Sequence, residues 1–193
     1  MDRIGVFCGS NAGSDPAFLE HAQRLGSAIA RRNVGLVYGG GRVGLMGAVA
    51  DAALEAGGEV VGVITDGLVR AEIAHLDVTT LEVVDSMHER KARMAELADG
   101  FIALPGGYGT LDETIELLTW NQLGLISKPV VFFDVGGFFE RLLAFFDAAV
   151  DAGFVRPAHR MLAQRARSVD EAVAMALGPA PETPHKWIDR DER

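Results

Sequence analysis

An α/β fold on a parallel, doubly wound sheet is what this sequence predicts, and three observations carry the prediction. Short β-branched or apolar runs alternate with longer stretches of helical spacing from Ile4 to Phe133, which is the rhythm of repeated βα units. Residues without bulk gather directly after three of those runs, where such sheets present their ligand-binding loops. The length, 193 residues, suits one domain whose core needs neither disulfide nor structural metal. The expectation is a single Rossmann-like domain over residues 1–178, followed by an irregular tail over 179–193.

Taken in order, the expected strands are 3–8, 35–38, 60–64, 80–84, 101–104 and 130–133, each a compact run rich in Val, Ile, Leu or Phe. Between them, helical spacing fills 16–32, 45–56, 87–98 and 111–123, with further helices at 138–152 and, more weakly, 168–176. Pro179, Pro181 and Pro184 remove backbone donors and resist helix, so the tail is expected to be irregular. No repeat or internal linker interrupts the chain.

Composition excludes several functions. Apolar residues make up 49% of the chain, yet no run approaches the roughly 20 residues of a spanning helix. The start, Met1 to Phe7, has no basic segment leading into a long apolar stretch, so no secretory signal is read and a cytoplasmic protein is expected. Cys8 is the only cysteine, which rules out an intrachain disulfide or a multi-cysteine zinc site. The five histidines never pair at helical spacing, so no metal is implied, and no cofactor is called for. With 27 acidic against 18 basic residues and a net charge of −9, the chain has the wrong sign for broad binding to nucleic acid. An anionic ligand would need a local site.

Three loops offer one: Cys8-Gly9-Ser10-Asn11, the glycine-rich segment 39–47, and Pro105-Gly106-Gly107-Tyr108-Gly109-Thr110. In the second, Gly39, Gly40, Gly41, Gly44 and Gly47 let a backbone turn sharply and bring N–H groups to an anion. Gly39, Gly41 and Gly44 also satisfy G-x-G-x-x-G, so a dinucleotide fold is a rival, and close helix–sheet packing is the plain alternative. Against the dinucleotide, the loop follows the second strand, not the first, and Asp66 is poorly placed for a ribose. The third loop leads into a helix expected to carry Asp112 and Glu113 in its first turn. Both acids could merely complement the helix dipole, but a loop built for an anion beside two carboxylates suggests that one of them works. Arg90 and Lys91, near the start of the helix after the fourth strand, read either as a solvated helical face or, for Arg90 above all, as groups at the entrance to the site. His88 reads as an exposed helix-start residue.

At these residues the sequence resembles the LONELY GUY (LOG) cytokinin-activating phosphoribohydrolases, which are also labelled lysine decarboxylases. Pro105 to Glu113 matches P-G-G-x-G-T-x-x-E. The 39–47 segment, Met87-His88-Glu89-Arg90-Lys91 and Thr119-Trp120-Asn121-Gln122-Leu123-Gly124 are the other matching blocks. The resemblance runs from about Ile4 to Phe154. It implies that Arg90 and Glu113 form the catalytic pair, and that Glu72, Arg90, Lys91 and the segment Gly107, Tyr108, Gly109, Thr110, Leu111, Asp112 and Glu113 contact the nucleotide. Ser10, Gly40, Gly41 and Gly106 join that set from the loops. It also implies a homodimer. The Arg70-Ala71-Glu72-Ile73 block departs from the family's Pro-Arg-Glu-Ile, because Ala71 stands where arginine is usual.

The reaction implied is hydrolysis of the N9–C1′ bond of an adenine-type nucleoside 5′-monophosphate, giving free base and ribose 5-phosphate. Positive charge developing at C1′ needs a carboxylate, and Glu113 is the candidate to stabilise it or orient water. Arg90, permanently charged, would hold the nucleotide. The rivals are an NAD-binding oxidoreductase and a non-catalytic nucleotide or cofactor carrier. Literal lysine decarboxylation would need a Schiff-base lysine, and Lys91, Lys128 and Lys186 have no evident setting for one.

Overall fold

The computed structural model describes residues 1–70 and 73–184; Ala71, Glu72 and 185–193 lie outside the described residues. Seven strands are described: β1 (Arg3–Phe7), β2 (Gly35–Tyr38), β3 (Val60–Thr65), β4 (Thr80–Val84), β5 (Gly100–Ala103), β6 (Val130–Phe133) and β7 (Ala163–Ala166). They form one sheet in the order β4-β3-β2-β1-β5-β6-β7, parallel at every pairing. Strands β1, β2, β3, β5 and β6 are buried on both faces, so they read as continuous apolar runs. Edge strand β4 leaves Val83 exposed.

Helices α1 (Pro16–Arg31), α2 (Gly44–Glu55), α3 (Asp66–Arg70), α4 (Met87–Leu97), α5 (Tyr108–Gln122), α6 (Glu140–Asp151), α7 (Pro157–Arg160) and α8 (Val169–Ala176) complete the described fold. On one face α1, α2 and α8 cover a core that includes Leu25, Ile29, Leu45, Val49 and Val173. Helix α1 buries Ala22, Leu25, Gly26, Ile29 and Ala30, a stripe at helical spacing. A Cβ on Gly26 would stand 2.1 Å from the Val49 carbonyl oxygen, so α1 and α2 touch backbone to backbone. On the other face α4 and α5 pack Met94, Ala95 and Leu117 against β1, β2, β3 and β5.

The predicted fold class holds; the short helices α3 and α7 were not expected, and two further differences stand out. The run Ala163–Ala166 was not expected to be a strand, because Gln164 and Arg165 interrupt it; as an outer strand it keeps both half-exposed and buries only its two alanines. Helix α5 begins at Tyr108, three residues before the expected start, so Asp112 and Glu113 lie beyond its first turn. Glycine disfavours a helix interior but not a helix start, where Gly107 is the N-cap and Gly109 falls in the opening turn. Residues 179–184 carry neither helix nor strand.

Candidate active site

The order of strands reverses between β1 and β5, and beyond their carboxyl ends a doubly wound sheet opens its ligand crevice. A cleft of about 810 Å³ lies there, lined from all three sequence-predicted loops. The loops are tied together: the Gly9 N–H donates to Pro105 O and the Leu45 N–H to Gly9 O, both at 3.0 Å. Gly44 has φ +60°, and a Cβ there would collide with the Ser10 backbone at 2.3 Å. This glycine therefore serves the junction of two loops.

Helices α1, α4 and α8 begin with capping side chains, Asp15, Ser86 and Ser168. Helices α2 and α5, which open onto the cleft, begin at Val43 and Gly107 with no side-chain cap. In α2 the Leu45 N–H is already spent on Gly9 O, whereas the first N–H groups of α5, with the positive end of its dipole, are left for a ligand. At Gly107 and Gly109 an added Cβ would meet nothing within 4 Å. Tyr108, between them, is 95% exposed at the rim.

At the cleft floor Arg90 and Glu113, only 7% and 9% exposed, form an ion pair with 2.9 Å between Nη1 and Oε1. Arg90 Nε donates to Val63 O at 2.9 Å and Nη2 to Gly39 O at 3.2 Å, so the guanidinium is held by the ends of β2 and β3. Gly39 makes room for it, since a Cβ would sit 2.0 Å from Nη2. The solvated-surface alternative for Arg90 is thereby overturned. Burial pushes the Glu113 carboxyl above the usual range, Arg90 pulls it back, and the charge of Asp112 pushes it up further. Cys8, also on the lining, is a thiol held neutral by burial, with the Glu113 charge adding to that effect.

Of the other expected contacts, Ser10, Gly41, Gly106, Gly107, Tyr108, Gly109 and Thr110 line the cleft. Glu72 lies outside the described residues. Gly40, Lys91, Leu111 and Asp112 are not on the lining, each for a visible reason. Gly40 turns its carbonyl to the His75 N–H. Leu111 packs against a satellite apolar cluster around Phe132. Lys91 Nζ bonds Asp112 and Glu116 at 3.0 Å each, a clasp between α4 and α5. Burial works against the Lys91 charge, but its bonds to Glu116 and Asp112 outweigh that and raise its pKa. Phe18, Ile64, Leu68, Ile73 and Phe138 line the cleft unforeseen, whereas Met46 comes from the expected 39–47 loop. Apolar side chains read as core in a sequence; only the position of Leu68 and Phe138 just after strand ends could have marked them.

Fold and cleft define a Rossmann-like protein with a buried arginine–carboxylate pair beside an anion-ready helix start. Within that class a family described as possible lysine decarboxylase matches residues 46–176. A cytokinin riboside 5′-monophosphate phosphoribohydrolase of Arabidopsis thaliana is 47% identical over 180 residues, covering 93% of this chain and 83% of its own. An enzyme of the same name from Rhodococcoides fascians is 46% identical over 177 residues, covering 91% and 89%. The chain belongs to this LOG phosphoribohydrolase family, the one that carries the decarboxylase label. Among solved structures, the molybdenum cofactor carrier protein of Chlamydomonas reinhardtii superposes with a TM-score of 0.69 at 26% identity, over 90% of this chain and 94% of its own. Neither described lysine suits a decarboxylase: Lys91 is clasped as above, and Lys128 Nζ donates to Ala95 O and Ala98 O at 2.6 and 2.7 Å.

Proposed function

We propose that this protein hydrolyses the N-glycosidic bond of adenine-type nucleoside 5′-monophosphates, N6-substituted cytokinin forms included, to free base and ribose 5-phosphate. The observation that carries the reading is the buried Arg90–Glu113 pair, set one turn beyond an uncapped helix start. The 5′-phosphate sits on the N–H groups at Gly107, Tyr108, Gly109 and Thr110, with Gly106 and Ser10 beside it. The ribose then lies over Glu113. As the C1′–N9 bond breaks, its electron pair leaves with the base and C1′ becomes cationic. Arg90 binds Oε1, leaving Oε2 to stabilise that cation and to receive a proton from the water that adds to C1′. The departing base, which took the electron pair, picks up a proton from solvent, and Glu113 returns its own to solvent. A carboxyl pushed above its usual range by burial takes up a proton more readily than an ordinary glutamate. Arg90 holds the carboxylate in place and counters charge on the departing group. Lys91 and Asp112 act indirectly, fixing α4 against α5.

The test is chromatography of products after incubation with a panel of nucleoside monophosphates and their N6-substituted forms. Free base and ribose 5-phosphate are expected. A ligand retained intact would favour a carrier instead, the second reading that the likeness to the molybdenum cofactor carrier supports. Intact nucleotide with no binding would end both.

The same reading takes the protein as a cytoplasmic homodimer. No described helix is long and apolar enough to cross a membrane, and nucleoside monophosphates are cytoplasmic metabolites. Ile115 and Trp120 on α5 stay half-buried, with exposed Leu123 and Leu125 following, an apolar strip suited to a second copy. Light scattering should give the mass of two chains; a monomer at micromolar concentration rejects the dimer.

A further inference from the structure

Helix α5 turns Glu113 toward the cleft, and Ile115 and Gln122 lie about half a turn round its axis from there. They face a separate cavity of about 140 Å³ between α5, α6 and α7, whose lining also includes Leu118, Phe146, Val155 and Leu162. Leu118 and Phe146 pack as well against the cluster around Phe132, so the cavity is an unfilled extension of that apolar cluster. Of the twelve residues of α6 only Leu143 is buried, which leaves this flank thinly covered. The rim is preformed: Arg160 Nε donates to Asp147 Oδ1 at 2.7 Å and Nη1 to Ala163 O at 3.0 Å, with the guanidinium 6.0 Å from the centre of the Phe146 ring.

The end of the described chain is led to this cavity. Beyond α8, Pro181 shares a depression with Arg160 and Met161, and Pro184 O accepts from His159 Nε2 at 2.7 Å. His159, on the cavity wall, is buried and meets Gln122 Nε2 through Nδ1 at 3.1 Å. A carbonyl oxygen only accepts, so the ring hydrogen is on Nε2 and the Nδ1 lone pair takes the Gln122 amide. One imidazole thus ties the tail to α7 and α5. Residues 185–193 follow, outside the described residues, and Trp187 and Ile188 are their only apolar side chains. Three residues reach up to about 10 Å, and Pro184 already touches the cavity wall. An apolar cavity of roughly 150 Å³ takes one benzene ring. The benzenoid half of an indole is of that size, and Thr119 and Gln122 on the lining offer oxygens to its N–H, which a buried tryptophan requires.

We propose that Trp187 of the C-terminal segment docks in the cavity between α5, α6 and α7, so that the tail is a strap bracing the helix of Glu113 from behind. The occupant is this chain's own tryptophan because the chain is delivered to the cavity mouth through the His159–Pro184 bond. The proposal stands apart from the choice of substrate, since none of its residues lines the cleft.

The chain has two tryptophans, so in full-length Trp120→Phe the fluorescence belongs to Trp187 alone. Its emission should be blue-shifted and its quenching by acrylamide several-fold weaker than that of N-acetyltryptophanamide. Val155→Asp, which puts a charge into the cavity, should raise quenching to the level of the free compound. Thr119→Arg, at an exposed position on α5, should do the same and serves if Val155→Asp does not fold. Leu125→Asp, on the strip assigned to a second copy, should leave Trp187 protected, as should dilution. In the otherwise wild-type chain Trp187→Ala should lower Tm by about 4–8 °C. A Trp187 as open to acrylamide as the free compound, protection that survives the charges at Val155 and Thr119, protection lost in Leu125→Asp or on dilution, or an unchanged Tm would overturn the proposal.

Discussion

Replacing Glu113 by glutamine separates chemistry from stability, because the new amide has nearly the shape of the carboxylate. Its oxygen can still accept from Arg90 Nη1 at the position of the present 2.9 Å contact, and the bonds from Arg90 to Val63 O and Gly39 O are untouched. The bond stays charge-assisted through the Arg90 guanidinium, toward the lower end of about 1.5–3 kcal/mol, so losing the carboxylate charge costs about 1 kcal/mol. Opposing it, the fold no longer holds ionised a carboxylate whose burial resists ionisation. Net stability should change by no more than about 1 kcal/mol, or about 2–4 °C in Tm for a chain of this size. Turnover should fall by about 10²–10⁴, equivalent to about 3–5 kcal/mol of barrier at 1.36 kcal/mol per tenfold. Release of adenine from AMP, followed chromatographically, gives the rate, and thermal melting gives the fold. Turnover within a factor of about ten of wild type would remove Glu113 from the mechanism. Lost activity with a melting point lowered well beyond that range would show that the carboxylate holds the fold instead.

Arg90→Ala should abolish most turnover and also destabilise the fold by about 3–5 kcal/mol, because it strands a buried carboxylate; urea unfolding with an unchanged slope measures this, and unaltered stability would contradict the burial of the pair. Glu113 must be ionised to act and its pKa is raised, so activity should fall as pH drops through a value above the ordinary glutamate range. Asp112→Asn removes a charge that holds that pKa up. The acid limb should therefore move to lower pH while turnover at neutral pH changes little; a limb that stays, or a loss equal to that at Glu113, would show the carboxylates were assigned wrongly. Adenosine should be a far poorer substrate than AMP, since two forfeited phosphate hydrogen bonds of about 1.5–3 kcal/mol each cost about 10²–10⁴ in kcat/KM. Comparable values for both would empty the glycine loop of its role.

Local pattern alone determined much of this protein. Strands such as Val60–Thr65, buried on both faces, must be continuous apolar runs, and glycine clusters after strands mark loops where a backbone meets a ligand, so alternation and punctuation reveal the sheet and two sides of the cleft. The strand Ala163–Ala166 escaped because at the edge of the sheet two polar residues out of four are no defect. Which charged residues turn inward was decided by tertiary structure. Arg90 and Lys91 are neighbours on one helix, yet Arg90 reaches between the ends of β2 and β3 while Lys91 swings outward to Asp112 and Glu116. Asp112 and Glu113 divide in the same way. Adjacent helical positions differ by about 100° around the axis, so one faces the sheet and the other does not. The contact between His75 and Asp51 joins residues from separate βα units, which meet only once the chain has crossed the sheet; a one-dimensional pattern has no term for that contact.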